Sequence, residues 1–191
     1  MNIIELTIIL EDVEPAVMRI LKVPADIRLD RLHLTIQAAM GWHNCHLYEF
    51  MAAGARWSLH DFDFGDEVLP ANKSTLGEVI EDTGVKSLHY IYDFGDSWEH
   101  QIKIGKFSDP VPGELYPRLT EATGTCPPED IGGLPGYEVF LEAMADPQHP
   151  EHDELRQWHG EGFDPNAPQT DELKLEVLKL AKKWKPRKTK K

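Results

Sequence analysis

The sequence predicts an α+β fold: a mainly antiparallel sheet with one packed helix, followed by a long Pro/Gly loop and a helical C-terminal part. Three observations lead there. Short β-rich runs punctuated by turn residues fill the first half of the chain, and a single long helical pattern interrupts them. Helical periodicity then returns only after a stretch rich in proline and glycine. Strands grouped first and helices last mark an α+β architecture, whereas a doubly wound fold would alternate them. A chain of 191 residues suits one domain with a small appendage. The expected division is a single domain over 1–181, with a sheet region over 1–106, a loop over 107–135 and a helical region over 136–181. A basic tail over 182–191 is expected to be disordered.

Residues 3–10 and 16–24 are β-rich runs on either side of Glu11-Asp12-Val13-Glu14-Pro15, the pattern of two antiparallel strands and a short loop. A helix follows over 29–40, with Leu29, Leu32, Ile36 and Ala39/Met40 on one face and Gly41 at the position that ends helices in a left-handed residue. His33 shares that face and is expected as a hydrogen-bonded core histidine. Residues 46–53 and 56–59 read as strands split by Ala53-Gly54-Ala55. Thr75-Leu76-Gly77-Glu78 is a capping-box signature opening a short helix. Residues 88–92 and 98–104 form the clearest hairpin, with Trp98, His100, Ile102 and Ile104 alternating against Glu99, Gln101 and Lys103. Five prolines precede Pro135 in the stretch 107–135, which is therefore expected as an irregular connection. Helices are expected over 137–145, about 149–158 and 171–184.

Charge is divided unevenly. The net charge is −13, yet the tail 182–191 holds seven basic side chains and no acid, leaving the rest at −20. Residues 121–172 carry thirteen acids against Arg156 alone. Such a body repels the phosphate backbone, so nucleic acid is not expected to bind it, and only the basic tail offers a weak contact. No stretch spans a bilayer and no basic segment leads into an apolar run, so the expectation is a cytoplasmic protein with no membrane contact. Two cysteines, Cys45 and Cys126, without CxxC spacing exclude a disulfide framework and a zinc ribbon.

Three stations could carry chemistry. Asp63-Phe64-Gly65-Asp66 and Asp93-Phe94-Gly95-Asp96 echo one another, but no catalytic loop or Gly-rich phosphate loop accompanies them, and tight turns capped by Asp account for both. Trp42-His43-Asn44-Cys45-His46 offers two imidazoles and a thiol to a cation, against the plainer reading that they pack the helix end. His149-Pro150-Glu151-His152 falls one residue short of an inverted zincin motif, and Pro150 with Glu151 and Asp153 reads as the start of a helix. P-loop, Rossmann and nucleophile-elbow motifs are absent.

Together these segments resemble the plasmid pRiA4b ORF-3-like family. The matching pieces are Leu32-His33 with Gly41-Trp42 and His46-Leu47, then Tyr92-Asp93-Phe94-Gly95-Asp96-Ser97-Trp98-Glu99-His100. Cys126-Pro127-Pro128-Glu129-Asp130-Ile131-Gly132-Gly133-Leu134-Pro135-Gly136-Tyr137 follows, and the segment from Asp146-Pro147 to Phe163-Asp164-Pro165 completes the set. The resemblance implies a mobile-element-associated protein and carries no established activity over to it. A resolvase role is unsupported, since no arginine-ringed nucleophilic Ser is present and the body is acidic. The leading expectation is a non-enzymatic interaction or regulatory accessory module with a protein partner. The alternative is a metal-dependent hydrolase or nuclease, with ligands drawn from Asp93, Asp96, His100, Cys126, Glu129, Asp130, His149 and His152. No cofactor is expected, a divalent metal being the alternative. The loop 126–130 is expected to fold back over the sheet toward His100, Tyr92 and Trp98.

Overall fold

The computed structural model describes residues 2–59 and 68–185. The strands are β1 (Ile3–Leu10), β2 (Val17–Pro24), β3 (Tyr48–Ala52), β4 (Ala55–Ser58), β5 (Val68–Pro70), β6 (Ser87–Tyr92), β7 (Trp98–Ser108) and β8 (Arg118–Thr123). They form one sheet in the order β5-β4-β3-β6-β7-β1-β2-β8, antiparallel at every pairing but β4 with β5. The helices are α1 (Leu29–Met40), α2 (Leu76–Thr83), α3 (Gly133–Ala145), α4 (His152–His159) and α5 (Thr170–Trp184). The predicted α+β class is the observed one. Among the described residues no helix is long and apolar enough to cross a membrane.

Period-two alternation makes one face of the sheet the core. Leu10 and Tyr90 flank His100 in register, and Tyr90 in turn lies opposite Phe50, so the buried side chains of four neighbouring strands form a continuous row. In β7 Trp98, His100 and Ile102 are buried while Glu99 and Lys103 are exposed, as the alternation predicts. Helix α1 covers this face with Leu29, Leu32 and Ile36, and Gly41 ends it at φ +88°. The capping box of Thr75 and Glu78 forms in full at α2. Arg19 is buried completely, which a guanidinium tolerates only when its donors are used. It donates to the carbonyls of Ala39, Met18 and Thr123 and to Cys126 Sγ, and so ties α1 and the end of β8 to β2.

The connection expected as an irregular loop over 107–135 is shorter and contains a strand. β7 runs on to Ser108, and β8 adds to the free edge of β2. An edge strand needs a partner on one side only, and β8 buries Leu119 alone, so its alternation leaves almost no trace between the prolines. Asp63 and Asp66 of the repeated motif lie outside the described residues. Of the tail expected over 182–191, the first three residues continue α5, while those beyond Lys185 lie outside the described residues.

Candidate functional site

The hairpin turn between β6 and β7 is built by Asp93. Its Oδ1 accepts from Gly95 N at 2.9 Å, its own N–H donates to Leu47 O, and its φ of +57° reverses the chain within four residues. The turn reading of Asp-Phe-Gly-Asp therefore holds at this copy. With Oδ1 committed, Oδ2 points to His46 Nε2 at 3.5 Å. Asp130 arrives from the proline loop, with Oδ1 at 3.1 Å from the same nitrogen. Among the described residues these three side chains are the one group whose His, Cys, Asp or Glu ligand atoms converge within 4.8 Å. Neither carboxylate is aligned to form a hydrogen bond with His46 Nε2, so this buried nitrogen has no such partner despite its ion-pair distances.

Two loops converge to hold that geometry. The segment 42–47 leaves α1, and the segment 126–130 leaves β8. Trp42 Nε1 donates to Pro127 O at 2.9 Å. Glu129 accepts from Tyr92 Oη at 2.6 Å on one oxygen, and from His43 N and Nδ1 at 2.8 and 2.7 Å on the other. Cys45 N donates to Tyr92 Oη. Partial burial acts to raise the Glu129 pKa, but the hydrogen bonds from Tyr92 and His43 outweigh it and hold the carboxyl below its ordinary range. Burial, and then the neighbouring Glu129, push the Tyr92 phenol up, so it stays a neutral donor.

Beside the three residues lies an open cleft of about 780 Å³, lined by His33, Leu34, Leu47, Tyr48 and Phe94 among others. Its floor is a stacked pair: the His33 ring lies 3.6 Å from that of Tyr48, with 7° between the planes. His33 is the core histidine expected of α1, bonded to Tyr90 Oη and Asn44, and burial brings it down to about 4. Tyr48 Oη is buried without a partner. Thus two of the buried orphaned polar atoms, on His46 and Tyr48, belong to residues lining one cleft.

Two of the eight expected ligands meet in this group, and the structure places the other six outside it. Asp93 and Asp130 enter the group, and His46, for which the sequence leaves both a cation-ligand and a helix-end packing reading, completes it. His100 does not: its Nδ1 faces the carbonyls of Trp98 and Tyr90 at 3.0 and 3.3 Å, and Trp42 covers it edge-on at 5.5 Å. The loop 126–130 does fold back to Tyr92, as expected, but Glu129 meets His43 rather than His100. Cys126 is held by Arg19 and contacts Met40 Sδ at 3.3 Å. Burial pushes its thiol up to about 11 against the pull of Arg19. Asp96 accepts from Gly132 N and anchors the start of α3. His149 accepts from Glu151 N just ahead of α4, and His152 Nδ1 donates to Ala143 O at 2.6 Å, tying the first residue of α4 to the last turn of α3. Both therefore serve the helix start, the plainer of the two readings.

An acidic α+β sheet protein with a His-Asp-Asp group between two loops is the class these observations define. The chain belongs to the plasmid pRiA4b ORF-3-like protein family, which matches residues 2–172. An uncharacterized protein, y4hQ, of Sinorhizobium fredii is 47% identical over 184 residues, covering 96% of this chain and 94% of the relative. The crystal structure of MM3350, a protein of unknown function from Methanosarcina mazei Go1, is similar with a TM-score of 0.78 and 30% identity, over 87% of this chain and 94% of that one.

Proposed function

We propose that the protein is a metal-dependent interaction module in which His46, Asp93 and Asp130 hold a divalent transition cation at the edge of the cleft. The observation that carries this is the spacing around a buried imidazole nitrogen that makes no hydrogen bond. A cation bound at about 2.1 Å separates adjacent donors by about 3.0 Å in octahedral and about 3.4 Å in tetrahedral geometry. The separations from His46 Nε2 are 3.1 and 3.5 Å. Two carboxylates balance a divalent charge, and one nitrogen with two oxygens suits Zn²⁺, Mn²⁺ or Fe²⁺ better than the all-oxygen shells of Ca²⁺ and Mg²⁺. Three protein ligands leave coordination open for a group supplied by a partner.

A second reading, a metal-dependent hydrolase, is favoured by that same open coordination, since a bound water would become nucleophilic near neutral pH. The acidic body argues against a nucleic-acid substrate in either case, and the basic tail over 182–191 remains the one segment suited to a weak contact with it. The test is isothermal titration of tag-free protein with MnCl2 and ZnCl2. One site per chain is expected, weakened more than 10-fold by His46→Ala; unchanged binding in that variant would overturn the assignment. Metal-dependent cleavage of a nitrophenyl phosphate or ester, lost in Asp93→Asn, would select the hydrolase.

A further inference from the structure

Cys45 also lines a second groove, of about 670 Å³, between the loops 41–45 and 125–130, the chain after α4, and the first turn of α5. Its floor is apolar, formed by Trp42, Pro127 and Leu173, and Trp158 stands at its side with half of its surface exposed. Its other lining groups are strongly acidic: Glu129, Asp130, Glu161 and Asp164. The cationic side is weak. Arg19 lies beneath the floor with no exposed surface, four of its N–H bonds given to protein acceptors. Arg156, the only Lys or Arg in 121–172, is tied to Glu161. The imidazoles of His43 and His159 complete the set, His43 being held by Glu129.

From this charge complementarity and the exposed indole we infer that the groove docks an extended Lys/Arg-rich segment of a partner protein. Cationic side chains stack on the Trp158 face, the best aromatic surface for a guanidinium or ammonium, while the carboxylates pair with their neighbours. An indole half in water gains by being covered, and Trp158 is the one tryptophan among the exposed large apolar side chains of the described residues. The inference rests on the reading of the protein as an interaction module and names the partner's chemistry; it does not require the cation.

The experiment is fluorescence anisotropy with fluorescein-labelled octa-arginine at about 150 mM NaCl, near physiological screening, on the full chain with MnCl2 and again with EDTA. Saturable 1:1 binding is expected, weakened at least 5-fold by Trp158→Ala and partly restored by Trp158→Phe. The double variant Glu161→Gln/Asp164→Asn is expected to weaken it at least 10-fold. Removing the same charge from α2, with Glu81→Gln/Asp82→Asn, is expected to change it less than 2-fold. Equal losses in the two double variants, or indifference to Trp158→Ala, would reduce the binding to unspecific attraction between polyions and overturn the inference. Groove-sensitive peptide binding in a protein that takes up no metal would sink the cation alone, whereas metal uptake without groove-dependent peptide binding would sink the docking surface alone.

Discussion

His100 lies at the centre of the sheet with no exposed surface, and its hydrogen bonds determine how it titrates. Nδ1 faces two carbonyls and so carries the proton, while Nε2 is a bare lone pair with no partner. Protonating it would create a buried charged N–H with nothing to accept it, and burial accordingly brings the group down from 6.5 to about 4. The unfolded chain takes up this proton below about pH 6.5, but the folded protein does not until about pH 4. Stability from this group is therefore intact above the unfolded value and is lost as pH falls across that interval. Each pH unit is worth about 1.4 kcal/mol, so the loss approaches about 3 kcal/mol when titration is complete. The perturbation is His100→Phe, which fills the site and removes the titration. Urea unfolding at about pH 7.0 and about pH 4.5, on either side of most of that interval, measures it. Whatever the substitution does at neutral pH, the variant should lose about 2 to 3 kcal/mol less than the parent between the two pH values. Identical losses in parent and variant would refute the reasoning, because they would mean that His100 is charged in the folded state or titrates normally.

Three further outcomes follow from contacts around the same loops. Glu129→Gln keeps the shape but removes the charge that receives His43 and Tyr92, and should weaken Mn²⁺ binding about 10-fold by loosening the loop that carries His46; titration calorimetry showing parental affinity would contradict this. Gly133 sits at φ +67°, and a methyl group on its Cα would fall 2.6 Å from Asp96 O. Gly133→Ala should therefore cost about 1 to 3 kcal/mol in chemical denaturation, and a neutral result would mean that the turn and α3 are not packed this closely. Cys45 is exposed and Cys126 buried with a raised pKa, so Ellman's reagent should label one thiol rapidly in the native protein and none in Cys45→Ser; two fast thiols would show that the Arg19–Cys126 contact is open in solution.

The strands and helices with strong periodicity are legible in the sequence because one face alone packs against the core. Leu29, Leu32 and Ile36 announce α1, and Trp98, His100 and Ile102 announce β7. β8 is not legible, because an edge strand that buries only Leu119 carries almost no alternation, and β5, with three residues, carries none at all. In the candidate site, turn and loop chemistry place Asp93 and Asp130 among eight candidate ligands but do not separate them from the other six. His46 is legible as a possible ligand within the segment 42–46, but its partners are not, since they come from two distant segments and pairing across such distances leaves no spacing to read. His100 illustrates the reverse error. Its place next to the turn suggests a ligand, while the period of two that puts it on the inner face already assigns it to the core.

Crystals grown or soaked with Mn²⁺ and measured for anomalous scattering would decide whether the His-Asp-Asp group is a cation site. A single strong peak is expected about 2.0 to 2.4 Å from His46 Nε2, Asp93 Oδ2 and Asp130 Oδ1, absent in His46→Ala. A saturating soak that leaves no peak between these three atoms, or places one elsewhere, would contradict the assignment.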